Sequence, residues 1–267
     1  MIHPLLDPER RPIVGHRGNA AFAPENTMES FRQALAAGAD CIELDVRLSA
    51  DGVPVVMHDP TVDRTTDSSG VVASLSVEQL QAADAAARFT RDGGRTFPYR
   101  GRGLRVPTFE DVLTELADVP LLLEIKTAQT SPATRRLIER HGASPRCVIE
   151  SFDARALEPF RGSRIAIGAS RADVARLLHR VVTRRPVGSL PYSVMCLPPR
   201  LRGVRIPIAS LVSVTRPAGC LVHVWTINEP EEARRLWSVG VRGIVSDDPA
   251  LIRRTRDAAP NVSPARP

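Results

Sequence analysis

Lysine is almost absent from this 267-residue chain: of its 36 basic residues, all but Lys126 are arginine. An ammonium kept at one position alone is either a chance survivor or marks a place where the planar guanidinium does not fit. Aromatic residues are also scarce, at 4%. A nucleic-acid surface interleaves aromatics with a basic stripe. Here the arginines read as scattered, so nucleic acid is not expected as a partner despite the net charge of +6. That surplus favours an anionic small molecule or a membrane surface only weakly. No apolar run reaches the roughly 18 to 20 residues that cross a bilayer. The first residues, rich in proline, lack the charged-then-apolar pattern of a leader. A cytoplasmic protein without stable membrane insertion is expected. The four cysteines, Cys41, Cys147, Cys196 and Cys220, form no C-x-x-C pair. Three of them open or sit inside strand-like apolar runs, which suits small buried core residues better than a disulfide or a zinc site.

What the chain does contain is a regular alternation. Apolar runs rich in β-branched residues occur at 13–15, 41–46, 121–125, 147–151, 164–168, 193–197, 221–226 and 243–246. Helical spacing fills several connections, at 25–37, 108–117, 132–141, 171–181 and 229–239. Strand-then-helix order argues for a parallel sheet with helices outside it, and eight such strands in a chain of this length argue for a (β/α)8 barrel. A further run at 53–57 follows Ser49-Ala50-Asp51-Gly52. Asp-Gly between extended runs predicts a hairpin, which would bring His58 back beside Asp45 as an arm on the barrel mouth. The irregular stretch 59–106 is too long for an ordinary connection and is expected to be an inserted subdomain or lid. It holds one predicted helix, 76–87, with Ser76 as N-cap. Residues 1–267 are expected to form one barrel domain, with 255–267 a frayed tail.

Barrel strands present their C-terminal ends to a common mouth. On the second strand Glu43 and Asp45 flank Leu44, so both carboxylates share one face. On the third barrel strand Glu124 and Lys126 share a face in the same way. Three inward carboxylates repel unless a cation or protons intervene, and oxygen ligands suit Mg²⁺ or Ca²⁺. A carboxylate–arginine network is the alternative. His16, between glycines in Val14-Gly15-His16-Arg17-Gly18, ends the first strand, and His58 ends the hairpin. Two histidines beside a carboxylate cluster fit general acid–base work, and Arg17 is suited to bidentate phosphate binding. His223 shares the parity of Trp225, so it too could point into the barrel. Trp225 is either core packing or a wall for the apolar face of a small substrate.

These residues carry a resemblance. Gly15-His16-Arg17-Gly18, Pro24-Glu25-Asn26-Thr27, Glu43-Leu44-Asp45-Val46, Val55-Val56-Met57-His58-Asp59 and Arg64-Thr65-Thr66 resemble the glycerophosphodiester phosphodiesterase family. So do Leu123-Glu124-Ile125-Lys126, Ser151-Phe152, Trp225-Thr226-Ile227-Asn228 and Asp247-Asp248-Pro249. The likeness runs from about residue 12 to 252 and is loose between about 168 and 218. It implies a TIM barrel with an insertion after the second strand, and metal-dependent hydrolysis of glycerophosphodiesters to sn-glycerol 3-phosphate and an alcohol. By the same likeness Glu43, Asp45 and Glu124 would hold one divalent cation, His16 and His58 would be the acid–base pair, Arg17 and Lys126 would hold the phosphate, and Trp225 would lie near the alcohol portion. A lysophospholipase D-like or sphingolipid diesterase, with an apolar groove along the insertion, is the alternative enzyme. A non-catalytic phosphate-ligand binding protein is the alternative from another class.

Overall fold

Val-, Ile- and Leu-rich runs pair side by side because a parallel sheet buries both of its faces. The computed structural model describes residues 2–258. Its strands are β1 (Ile13–Gly15), β2 (Cys41–Leu48), β3 (Pro54–Val56), β4 (Leu121–Ile125), β5 (Cys147–Glu150), β6 (Ala166–Ile167), β7 (Val194–Leu197), β8 (Arg200–Leu201), β9 (Val204–Arg205), β10 (Leu221–Val224) and β11 (Ile244–Ser246). Its helices are α1 (Met28–Ala36), α2 (Val77–Ala82), α3 (Phe109–Glu115), α4 (Ser131–Arg140), α5 (Ala154–Leu157), α6 (Arg171–Val182), α7 (Ile208–Thr215), α8 (Pro230–Ser238) and α9 (Pro249–Asp257). Eight strands are parallel in the order β6-β5-β4-β2-β1-β11-β10-β7. A parallel bridge between Gly168 and Val194 joins the two ends, so the chain is a (β/α)8 TIM barrel. All eight predicted barrel runs take part. The hairpin is also as expected: β3 pairs antiparallel with β2, Val46 opposite Val56 and Arg47 opposite Val55.

Strand parity sorts the apolar residues into two cores. Ile42, Leu44, Leu121, Leu123 and Ile149 face outward against Phe31, Phe109, Leu137 and Leu236 of the surrounding helices. Val14, Cys41, Leu122, Val148, Val194 and Val245 face inward around Leu5, which closes the barrel floor from the N-terminal turn. His223 does point inward, as its parity allowed, but it belongs to this floor. Its Nδ1 accepts the Gly243 N–H at 2.8 Å, which leaves Nε2–H to donate to the Leu5 carbonyl at 3.0 Å. Burial pushes its pKa down to about 4.

That shift has a testable consequence. An unfolded imidazole titrates near ~6.5. Between that value and about 4 the unfolded chain takes a proton that the folded His223 refuses. The His223 share of stability is therefore fully present above ~6.5 and falls by up to about 3 kcal/mol as the pH drops toward 4. The raised carboxylates Glu43 and Glu150, at the other end of the barrel, act in the opposite sense. The check is thus a difference: urea midpoints of a His223→Asn chain should fall less steeply than those of the parent between pH 6.5 and 4.5. Parallel slopes would contradict it.

Residues 59–106 pack on the hairpin through Val55, Met57, Val62, Val72, Leu80, Ala85 and Val106, a cluster apart from both barrel cores. The predicted helix here stops at Ala82 rather than 87, because Ala83 turns to extended backbone. The expected tail is also corrected at its start. The Asp248 side chain caps α9, and the helix runs through Asp257, so Thr255 is helical and buried. The rest of that tail, 259–267, lies outside the described residues. Three helices (α5, α7 and α9) and the β8–β9 hairpin were not predicted. No helix among the described residues is long and apolar enough to cross a membrane. All four cysteines are free.

Candidate active site

The loop after β1 is built for close approach. A Cβ on Gly15 would lie 2.6 Å from the Gly18 carbonyl and 2.9 Å from the Ala34 side chain. Gly18 takes a φ of +92°, where glycine alone is unstrained. Between them Arg17 is forced to a φ of 52°, which directs its backbone N–H to Glu43 Oε2 at 2.8 Å. The same turn delivers His16 to the mouth.

Each of the two histidines is held by a carboxylate. His16 Nδ1 lies 2.7 Å from Asp247 Oδ1, and Asp247 Oδ2 accepts from the Asn228 amide at 2.8 Å. Burial raises the Asp247 pKa, but the His16 and Asn228 hydrogen bonds outweigh it and the carboxyl stays below its usual range. His58 Nδ1 lies 2.6 Å from Asp59 Oδ1, and the Arg64 Nε–H donates to Asp59 Oδ2. That Arg64 contact is the main reason the Asp59 pKa falls to about 2. An Nδ1–H given to a carboxylate leaves Nε2 of the neutral ring as the atom that takes a proton. Arg47 grips the His58 carbonyl with two N–H groups, at 2.9 and 2.6 Å. The hairpin therefore carries His58 where its register predicted: the Met57 N–H donates to the Asp45 carbonyl at 3.0 Å.

Glu43, Asp45, Glu124 and Lys126 come together as strand parity required. Asp45 is buried, with 1% of its side chain exposed, and lies against two cations. Lys126 Nζ lies 2.6 Å from its Oδ1, Arg17 Nε 3.3 Å from its Oδ2, and the Asn26 amide donates to Oδ2 at 2.7 Å. Burial raises the Asp45 pKa, and Lys126 and Arg17 more than reverse it. Lys126 also reaches Glu124 at 2.8 Å, and Arg17 reaches Glu25 at 2.8 Å. Arg64 donates to both Glu25 oxygens at 2.7 Å, so Glu25 links the β1 loop to the insertion.

One carboxylate escaped the sequence reading. Glu150, opposite Glu124 in the β4–β5 register, points into the same space. One oxygen each of Glu43, Glu124 and Glu150 lies within 4.8 Å of the others. Burial and then the Glu124 charge push the Glu150 pKa to about 7. Burial, followed by repulsion from Asp45, pushes Glu43 well above the carboxylate range. Like charges crowded this closely without enough N–H donors are what a hard divalent cation relieves, so the donor set fits Mg²⁺ or Ca²⁺. The signal for Glu150 was available: it shares the parity of Val148, which faces the barrel interior. Asp247 could likewise be found from Val245. Trp225 stands half-buried at the end of β10 with its ring centroid 6.0 Å from that of Phe152.

A family model described as the Glycerophosphoryl diester phosphodiesterase family matches residues 16–251. A probable glycerophosphodiester phosphodiesterase 2 of Mycobacterium tuberculosis is 34% identical, over 91% of this chain and 89% of the relative. A glycerophosphodiester phosphodiesterase of Caldanaerobacter subterraneus subsp. tengcongensis is 30% identical over 90% and 95%. Among solved structures, the glycerophosphoryl diester phosphodiesterase domain of an uncharacterized M. tuberculosis protein superposes with a TM-score of 0.80 at 23% identity, covering 94% of this chain and all of that one. A phosphodiesterase of Oleispira antarctica, solved with its product sn-glycerol-3-phosphate, has a TM-score of 0.76 at 25% identity over 93% and 98%.

Proposed function

Since the chain belongs to the glycerophosphoryl diester phosphodiesterase family, a family of phosphoric diester hydrolases, we propose that it hydrolyses glycerophosphodiesters to sn-glycerol 3-phosphate and an alcohol by two-histidine acid–base catalysis with one divalent cation. The observation that carries this reading is the placement of two carboxylate-held imidazoles, His16 and His58, at a mouth lined by acids and by two half-buried cations, Arg17 and Lys126. A pure phosphate binder has no use for two proton-transfer groups fixed in this way. The product complex of the O. antarctica relative supports the glycerol 3-phosphate half of the proposal.

In this mechanism Arg17 and Lys126 hold the phosphate and offset the negative charge that develops on it. Glu43 and Glu124, together with Asp45 or Glu150, would hold the divalent cation, which would supply charge neutralisation and Lewis acidity toward the phosphoryl group. One imidazole Nε2 removes the proton of the attacking water, or of the substrate's own glycerol hydroxyl, in which case water then opens the cyclic phosphate; the other imidazole, protonated, delivers a proton to the leaving alkoxide. Asp247 and Asp59 keep both rings oriented and stabilise whichever is charged. Trp225 flanks the alcohol portion. The segment 59–106 contributes Arg64 and so braces His58.

A coupled assay for glycerol 3-phosphate release tests the proposal. Glycerophosphocholine should be hydrolysed, chelation should remove at least about 99% of the rate if the cation acts as a Lewis acid worth several kcal/mol, and added Mg²⁺ or Ca²⁺ should restore it. A rate indifferent to thorough chelation would refute the cation's role, and no turnover of any glycerophosphodiester would refute the activity.

A further inference from the structure

Among the inserted residues one side chain reaches both working parts of the mouth. Residues 59–106 rest on the hairpin through an apolar cluster of their own. Beyond Asp59, the one ion pair that ties them to the rest of the chain, among the described residues, is Arg64 to Glu25. Every edge of that guanidinium is engaged. Its Nε–H donates to Asp59 Oδ2 at 2.5 Å, its Nη1 to Glu25 Oε2 and its Nη2 to Glu25 Oε1, both at 2.7 Å. The Glu25 hydrogen bonds are the main reason the Arg64 pKa lies above its usual range.

The two carboxylates so bridged serve different steps. Asp59 Oδ1 lies 2.6 Å from His58 Nδ1 and so aims a proton-transfer ring. Glu25 Oε1 accepts from Arg17 Nη1 at 2.8 Å and so aims a phosphate-holding guanidinium. Arg17 Nε faces Asp45 at 3.3 Å. Its Nη2 makes no hydrogen bond among the described residues, which leaves that edge for an anionic oxygen. One line of contacts thus runs His58–Asp59–Arg64–Glu25–Arg17, with Arg64 at its centre. The two-pronged pair on Glu25 fixes the plane of the Arg64 guanidinium, and that plane sets the direction of its Nε–H toward Asp59. Within such a line each member orients the next. A lysine, a point donor on a flexible stem, cannot hold both carboxylates in this geometry.

Stability does not account for the arrangement. Arg64 is 48% exposed, and exposed ion pairs contribute little to folding. The apolar cluster keeps the segment in place without it. We infer that Arg64 is a positioning residue that sets His58 and Arg17 together, so that proton transfer and phosphate binding depend on one side chain of the insertion. This rests on the diesterase reading above and gives the insertion a part in both halves of that reaction.

The experiment compares the full chain with Arg64→Ala, Arg64→Lys, Glu25→Gln and Asp59→Asn variants, each checked for folding by circular dichroism. Two measurements need no turnover: calorimetric affinity for sn-glycerol 3-phosphate reads Arg17, and the ¹⁵N shifts of the His58 ring nitrogens read its tautomer. Arg64→Ala should bind glycerol 3-phosphate about tenfold more weakly and show a mixture of His58 tautomers where the parent shows Nδ1–H. With glycerophosphocholine it should raise KM and lower kcat, each about tenfold, the scale of a lost orienting contact. Glu25→Gln should reproduce the affinity and KM changes alone, and Asp59→Asn the ring change alone. Arg64→Lys should recover at most one of the two readings, and it carries the same test if alanine unfolds the segment. An Arg64→Ala defect confined to one reading, or recovery of both by lysine, would overturn the inference and leave the diesterase reading intact. A parent that neither cleaves a diester nor binds glycerol 3-phosphate would overturn both.

Discussion

Replacing His58 with alanine lowers kcat for glycerophosphodiester hydrolysis by about 10²- to 10⁴-fold, and His16→Ala does the same. Neither change should move the thermal midpoint by more than about a degree or two, because exposed side chains outside the core seldom contribute more than about 0.5 kcal/mol. His58 has 34% of its side chain exposed and its ring bonds only Asp59, which Arg64 continues to hold. His16 is more enclosed, at 18%, yet Asp247 keeps its Asn228 contact when the imidazole is gone. Steady-state kinetics with circular dichroism on the same samples decides the matter. Near-normal turnover by a folded variant would remove that histidine from the mechanism. Asp59→Asn and Asp247→Asn act through the rings, so they should displace a limb of the pH–rate profile rather than abolish the rate. The limb moved by each identifies which histidine is the acid and which the base.

Glu43→Gln should separate function from stability. The glutamine keeps an acceptor for the Arg17 N–H but removes a buried negative charge, so cation affinity should drop by at least about 100-fold and turnover should follow. In chelator the same variant should melt above the parent. The sign follows from the direction of the shift. Glu43 is held well above its usual pKa by burial and by Asp45, whereas the unfolded carboxyl titrates near ~4.3. Above ~4.3 the folded, cation-free parent must either keep a charge its surroundings disfavour or take up a proton, and its stability rises as the pH falls through the raised folded value toward ~4.3. Cation binding stabilises the parent by mass action and the variant hardly at all. Thermal melts with and without Mg²⁺ or Ca²⁺, paired with calorimetric titration, should therefore cross over. A variant less stable than the parent in chelator would contradict the repulsion assigned to this cluster. Asp45→Asn and Glu150→Gln measured beside it show which carboxylate completes the ligand set. Asp45 is already paired with Lys126 and Arg17, whereas Glu150 makes no ion pair among the described residues and feels Lys126 less than it feels Glu124.

By itself the sequence determined the barrel and much of its mouth. A period of two is a local property, so Glu43, Asp45, Glu124 and Lys126 could be assigned to one face before any contact was known. The Asp-Gly turn set the register that returns His58 to Asp45, and the glycines beside His16 announced a tight loop. Lys126, the chain's sole lysine, lies 2.6 Å from Asp45 and 2.8 Å from Glu124, wedged between two carboxylates. Other features depended on which distant segments meet. His223 and Trp225 share one parity, but depth along the barrel makes His223 part of the floor and Trp225 part of the mouth. Parity could give the direction of Glu150 and Asp247, but their partners, and the Arg64–Glu25–Arg17 chain, followed only from closure of the sheet, which set β5 beside β4 and β11 beside β1. The reason is physical: local periodicity fixes the direction of a side chain, but its height in the barrel and its neighbours follow from strand order and closure, which no short stretch of sequence encodes.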